Sequence, residues 1–424
     1  MRPQTPLSSA RLWPLSLLLA CLLPSCALFH LKHEVQEIAA HGVVAVQVAE
    51  RSSSATTYAL AWVEAEGGKP EVIALQPVGT DGLAIFLLRL GKRYHIGAFT
   101  DVDGDKAYDG GEPAASARDV SPLPLDQTAA QATPLSLVLA TSHGLPPGQK
   151  IAIPDPESDQ GDALAVHIGE VTTLDDPRLS AENGDRGMWR PFEFLQELGI
   201  GLYFLEPYDP ARLPVVFVHG ISASPQSWRA IVEKLDRRKF QAWVFHYPSG
   251  LRVERAAGAL ATALVTLQKR HGFKKLGIVA HSMGGLVSRG AIPRAVEQTG
   301  FNFVPRFVTI STPWGGHEAA AKGVDRLNYP VPSWRDMAPG SDYLTSILRR
   351  PLPDGTLHDL IFSFKTKGGL GMPNDNDGTV GVASQLDPNV QEAAHTVFGL
   401  PLSHTEILAS PTVLRHVEEA LGGP

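Results

Sequence analysis

From Pro214 onward the chain alternates short apolar runs with amphipathic stretches of helical period, and this alternation constrains its fold more than any other feature. "PVVFVHG", "QAWVFHYP", "KKLGIVAHS", "RFVTISTP" and "DLIFSFKT" read as buried strands. "VERAAGALATALVTLQKRHG" reads as a helix, and so does "SPQSWRAIVEKLDRR", with Ser224 as N-cap and Pro225 in its first turn. Strands joined through helices need right-handed crossovers, which give a mostly parallel sheet flanked by helices on both faces. Residues 201–424 are therefore expected to form an α/β domain.

The preceding region has another period. Between Val43 and Ala140, runs such as "VVAVQVA", "YALAWVEA", "LAIFLLRL" and "RYHIGAFTD" are short strands separated by turn residues, with no helical pattern between them. An all-β, sandwich-like domain over 40–145 is the expectation. Residues 146–200 read as a linker, beginning in the Pro- and Asp-rich "LPPGQKIAIPDPESDQGDA". The aromatic segments "GMWRPFEFLQELGIGLYF" and "GVDRLNYPVPSWRDM" would serve either as core or as an apolar acyl pocket and cap. With 424 residues, 43% of them hydrophobic, the chain can bury more than one core. Its net charge of -7 offers no basic surface for nucleic acid.

At the N-terminus, Arg2 and Arg11 precede an apolar stretch from Leu12 to Leu23, shorter than a membrane span and of signal-peptide length. "LLPSC" resembles the bacterial lipoprotein signal, which implies a leader over 1–26, a lipidated Cys26 and a protein tethered to the cell envelope, at the outer membrane. Ordinary secretion is the alternative, and "LLLAC" ending at Cys21 is a weaker second lipidation signal. Both cysteines of the chain lie in this leader, so a disulfide framework is not expected.

"AHSMGGLVSR" joins a strand to a helix through Ser282. A serine nucleophile needs such a turn, with small residues two positions before and after it, here Ala280 and Gly284. "VVFVHGIS", "AHSMGGLVSR", "STPWGG", "DGTV" and "SHTEIL", in this order, resemble the α/β-hydrolase fold, in particular bacterial lipases and esterases, from about Tyr203 to the C-terminus. The resemblance implies an oxyanion hole built from the backbone N–H groups of Ile221 and Met283. It also implies an order of nucleophile, acid and histidine. His404 then follows a Gly/Pro loop and is the favoured base, ahead of His395 in "EAAHTVF" and His416 within a helical pattern. Asp377 matches the Asp-Gly-x-Val pattern better than Asp375, although an Asx-turn aspartate would look the same. His219 and His281 read as structural. The implied activity is serine-dependent ester hydrolysis through an acyl-enzyme on Ser282, with no cofactor for catalysis and lipid or acyl esters as substrates. An acyltransferase with the same triad, or a non-catalytic envelope lipoprotein with a ligand-binding β-domain, are the alternatives.

A second pattern lies in the β-rich region. "DVDGDKAYDGGE" sets Asp101, Asp103, Asp105, Asp109 and Glu112 at positions 1, 3, 5, 9 and 12 of a twelve-residue loop, the spacing of an EF-hand Ca²⁺ loop. Lys106 stands where that loop has Gly, and a strand precedes it instead of a helix. A structural calcium bracing the β-domain is expected, with an acidic solvated turn as the alternative.

Overall fold

In the computed structural model the described residues are 23–52, 54–64, 70–79, 81–105, 107–108, 111–125, 134–141, 145, 151–152, 163–365 and 375–423. The predicted apolar leader stretch up to residue 22, and residues 146–150 and 153–162 of the predicted 146–200 linker, lie outside them. Helix α1 (Leu23–Ala40) opens the described chain and includes Cys26 near its start. Among the described residues, no helix is long and apolar enough to cross a membrane.

Two sheets follow. Strands β1 (His41–Ala49) and β4 (Leu83–Arg89) pair antiparallel. In the second sheet, β2 (Thr56–Glu64), β3 (Pro70–Pro77), β5 (Tyr94–Asp101) and β6 (Ala114–Val120) run in the order β3-β2-β5-β6, all antiparallel. β7 (Leu135–Val138) pairs parallel to β1. Alternation along the strands sends Val44, Val46 and Val48 of β1 and Ala59 and Ala61 of β2 into one buried cluster shared by the two sheets.

The main sheet has eight strands: β8 (Val166–Val171), β9 (Ile200–Phe204), β10 (Leu213–Val218), β11 (Phe240–His246), β12 (Gly277–His281), β13 (Arg306–Ile310), β14 (Leu357–Ser363) and β15 (Thr396–Leu400). Their spatial order is β8-β9-β11-β10-β12-β13-β14-β15. The β9–β11 pair is antiparallel and all other neighbours are parallel, so the sheet is mixed with a long parallel run. Each central strand is apolar on both sides. Val216 and Val218 of β10 face the cluster built on helices α4 (Val253–His271) and α5 (Met283–Thr299), while Val215 and Phe217 face Trp228, Val413 and Val417. Removing one such side chain from water contributes about 1.5–3 kcal/mol, which fixes register and faces together.

Two expectations need correction. The sheet begins at Val166, inside the segment read as linker, because β8 is an edge strand with half-buried residues and a Gly169 at φ +78, and so carries no apolar run. Residues 181–197 there form α2 (Ala181–Trp189) and α3 (Pro191–Glu197). Phe192 and Leu195 pack with Ile38 of α1 and Leu87 of β4, so α3 joins the β-rich region to the main sheet. The carboxylate of Glu34 on α1 accepts the N–H groups of Phe192 at 2.7 Å and Glu193 at 3.2 Å. The helix read over 224–238 shrinks to a 3-10 turn, Pro225–Trp228, and one turn over Arg229–Val232. Ser224 does cap it, accepting from Gln226 N–H. It ends early because Asp236 folds the chain back: its side chain accepts from Arg238 N–H at 3.1 Å and its own N–H donates to Glu418 at 2.8 Å.

Candidate active site

Ser282 occupies the junction between β12 and α5, with φ 54° and ψ -129°. A non-glycine residue in this region is strained by about 1–3 kcal/mol and persists only where its surroundings hold it. Here the Ser282 N–H donates to Ile310 at the end of β13 (2.9 Å), and Gly285 N–H closes a tight turn onto the Ser282 carbonyl (3.0 Å). The glycines after it are required by space. A Cβ at Gly284 would strike the Val218 and His219 carbonyl oxygens, and one at Gly285 the Thr312 side chain.

The loop after β10 passes directly over the serine. A Cβ on Gly220 would stand 2.8 Å from the Ser282 Cβ. Ile221 follows immediately, and its neighbour Ser222, at φ 50°, is held by an N–H bond to Ser249 Oγ at 3.0 Å. Met283 is the first residue of α5, where backbone N–H groups have no partner within the helix. The two backbones expected to form an oxyanion hole thus flank Ser282.

Asp377 and His404 meet. His404 Nδ1–H donates to Asp377 Oδ2 at 2.7 Å, and His404 N–H donates to the Asp377 carbonyl at 3.0 Å. Asp377 is fully buried and His404 nearly so. Burial works to raise the Asp377 carboxyl, but the His404 bond and charge, with Ser363 and Val380 N–H, hold it below the usual carboxylate range. His404 is tied to the elbow through His281, whose Nε2–H donates to the His404 carbonyl at 2.8 Å, with ring centroids 4.6 Å apart. Ser282, Asp377 and His404 all follow the carboxyl ends of parallel strands β12, β14 and β15, which puts them on one edge of the sheet.

Residues 209–335 match the family described as Putative serine esterase (DUF676). The segment contains Ile221, Ser282 and Met283, and ends before Asp377 and His404. With the mixed helix-flanked sheet, this match bears out the likeness to α/β-hydrolase esterases. Among solved structures the chain is similar to the mature form of the Bacillus licheniformis lipase BlEst2, at 20% identity and TM-score 0.40, over 51% of this chain and 96% of that one. It is also similar to Aspergillus fumigatus lipase B, at 14% identity and TM-score 0.39, over 52% of this chain and 56% of that one. No curated protein matches the sequence.

His219, His281 and His395 have structural partners. His219 is fully buried, bonds the Gly220 carbonyl at 2.9 Å and stacks on Tyr247, and burial lowers it to about 4. His281 is lowered to about 3, first by burial and then by the neighbouring His404. His395 precedes β15 and bonds Asp359, near the start of β14, at 3.0 Å, which sets it at the amino edge of the sheet. A cavity of about 200 Å³ lined by Asp359, His395, Phe398 and His416 lies there, and none of Ser282, Asp377 or His404 lines it.

Three residues not singled out from sequence complete the surroundings of Asp377. Ser363 Oγ–H donates to Asp377 Oδ2 at 2.6 Å, Gln385 Nε2–H to the same oxygen at 3.1 Å, and Ser311 Oγ lies 2.6 Å from Ser363 Oγ. The available signal was a serine at the carboxyl end of two apolar strands, "RFVTIS" and "DLIFS".

In the acidic loop, Asp101 ends β5 and is buried, while Asp103 and Asp105 are exposed, and one carboxylate oxygen from each lies within 4.8 Å of the others. Asp101 accepts Gly104 N–H, Asp103 accepts Asp105 N–H, and the buried Glu112 accepts Val102 N–H at 2.6 Å. Asp109 lies outside the described residues.

Proposed function

We propose that the protein is a serine-dependent carboxylic ester hydrolase that acts through an acyl-enzyme on Ser282. One observation carries the reading: Asp377 and His404 hydrogen-bond at 2.7 Å at the sheet edge where Ser282 is held at φ 54°. With its Nδ1–H given to Asp377, the neutral His404 ring presents Nε2 as an acceptor. His404 removes the Ser282 proton as Oγ attacks the ester carbonyl, and the imidazolium that forms is stabilised by the Asp377 carboxylate. The backbone N–H groups of Ile221 and Met283 stabilise the oxyanion, each such donor contributing about 3–4 kcal/mol. Collapse breaks the ester C–O bond, and the alcohol leaves with the proton from His404. Water, deprotonated by the same ring, then releases the acid and restores Ser282.

An apolar acyl group suits the oxyanion side of this site. Ile221 packs into a cluster with Leu31 and Val35 of α1, Met188, Val331 and Trp334, and Trp334 meets the half-exposed Trp189 edge-on at 6.1 Å. Lipidation of Cys26 would tether α1, and with it this face, to a membrane. A structural Ca²⁺ in the 101–112 loop is supported by the converging carboxylates of Asp101, Asp103 and Asp105. The test is turnover of p-nitrophenyl esters of graded chain length, with and without an added alcohol. Longer acyl chains are expected to lower KM, with free acid as product. Preference for acetyl over all longer esters would refute the acyl assignment, and ester formation with the alcohol would make the protein a transferase.

A further inference from the structure

Asp377 is an unusually well supplied acceptor. Oδ1 takes the N–H groups of Thr379 at 2.9 Å and Val380 at 2.7 Å, and Oδ2 takes Ser363 Oγ–H, His404 Nδ1–H and Gln385 Nε2–H. Five donors converge on one fully buried carboxylate. Because the Ser363 proton goes to Asp377, the Ser311–Ser363 bond must run with Ser311 donating to Ser363 Oγ. Gln385 has only one workable orientation. Its Oε1 accepts Ser363 N–H at 2.9 Å, while Nε2 donates to the Ser363 carbonyl at 3.0 Å and to Asp377. Its amide therefore pairs with the N–H and carbonyl of Ser363, the last residue of β14, as a neighbouring strand would, and carries the hydrogen-bonding order of the sheet to Asp377.

We propose that Ser363, set by Ser311, and Gln385 are positioning residues that hold Asp377 as a fixed, charged acceptor and so fix the ring orientation and basicity of His404. This rests on the triad reading given above. Donors on Oδ2 share that oxygen's negative charge with His404, and successive hydroxyl bonds polarise one another. Removing the Ser363 donor leaves more charge facing the imidazole, which favours its protonated form, and frees the carboxylate to turn.

Other titratable groups around the pair do not supply this effect. His281, from β12, and His317, whose Nε2 bonds the Thr379 carbonyl, are both lowered, first by burial. Asp375 is exposed upstream in the same loop, and Glu406 is exposed and held by Ser403 and Lys365.

The test is the pH profile of kcat/KM, with kcat and KM separately, for Ser363→Ala, Ser363→Thr, Ser311→Ala and Gln385→Ala, beside Asp377→Ala. Ser363→Ala should lose about 10- to 100-fold in kcat with KM nearly unchanged, the scale of a misplaced catalytic group. Its acid limb should move up by about half a pH unit or more. Ser311→Ala should move it the same way by less, and Ser363→Thr should restore it. A kcat loss with an unmoved limb would mean a merely structural role and overturn the proposal, as would wild-type behaviour. If Ser363→Ala does not fold, Ser311→Ala and Gln385→Ala decide by the same readouts. Full activity of Asp377→Ala would instead sink the triad reading. Loss in Asp377→Ala with no effect in the serine and glutamine variants would sink this proposal alone.

Discussion

Replacing Asp377 by Asn keeps the shape and removes the charge, and the surroundings of this side chain allow its effect to be worked out. Oδ1 faces two backbone N–H donors that cannot move, so the amide oxygen must sit there. The NH₂ group then faces Ser363 Oγ, Gln385 Nε2 and His404 Nδ1, which are donors in the native protein. Ser363 can rotate to accept. His404 can relieve the clash only by moving its proton to Nε2, and the ring then has no lone pair for the Ser282 proton. A base in the wrong tautomer costs about 10⁴ in kcat in the Ser-His-Asp systems where this change has been made, or about 5.4 kcal/mol of barrier at 1.36 kcal/mol per decade. KM should change little, because neither residue is proposed to hold the ground-state ester. Steady-state kinetics on p-nitrophenyl esters, with His395→Ala as a control expected to stay within about twofold of wild type, provide the measurement. An Asp377→Asn enzyme within tenfold of wild type would refute the reasoning, since the proton could then not depend on this carboxylate.

Gly284→Ala should lower stability by about 1–3 kcal/mol, the cost of overpacking, because its Cβ would meet the backbone carbonyls of Val218 and His219 at the end of β10. Thermal melting checks the loss, and activity should fall with it. The depressed Asp377 carboxyl contributes stability that is present above the ordinary carboxylate pKa and is lost as pH falls through its lower native value. The Tm gap between wild type and Asp377→Ala should therefore narrow as pH drops below about 4, and a gap that widens would contradict the sign. Millimolar Ca²⁺ should raise the Tm of wild type and leave Asp101→Asn unmoved. An equal rise in both would assign the effect elsewhere.

The sequence showed the central parallel strands because they are buried on both faces and read as unbroken apolar runs. It did not show β8, whose half-buried residues and kink at Gly169 hide the strand, nor the short extent of the 225–232 turn, which is ended by Asp236 and Glu418 across 182 positions. At the site, Ser282 was legible because its strained turn demands small neighbours within five residues. Asp377 and His404 could be ranked only by loop context. What distinguishes Asp377 from Asp375 is burial and five donors from four elements of the chain, and such convergence leaves no local pattern. Gln385 had none at all: its role depends on an amide meeting the end of β14 across 22 residues.

In this reading Ser282 is the nucleophile and depends on His404. Covalent labelling of the intact protein by a serine-reactive phosphonate, followed by mass spectrometry, tests it most directly. Wild type should gain one adduct, localised by digestion to the peptide containing Ser282. Ser282→Ala should gain none, and His404→Ala should label at least a hundredfold more slowly. A Ser282→Ala protein that labels at the wild-type rate would contradict the account.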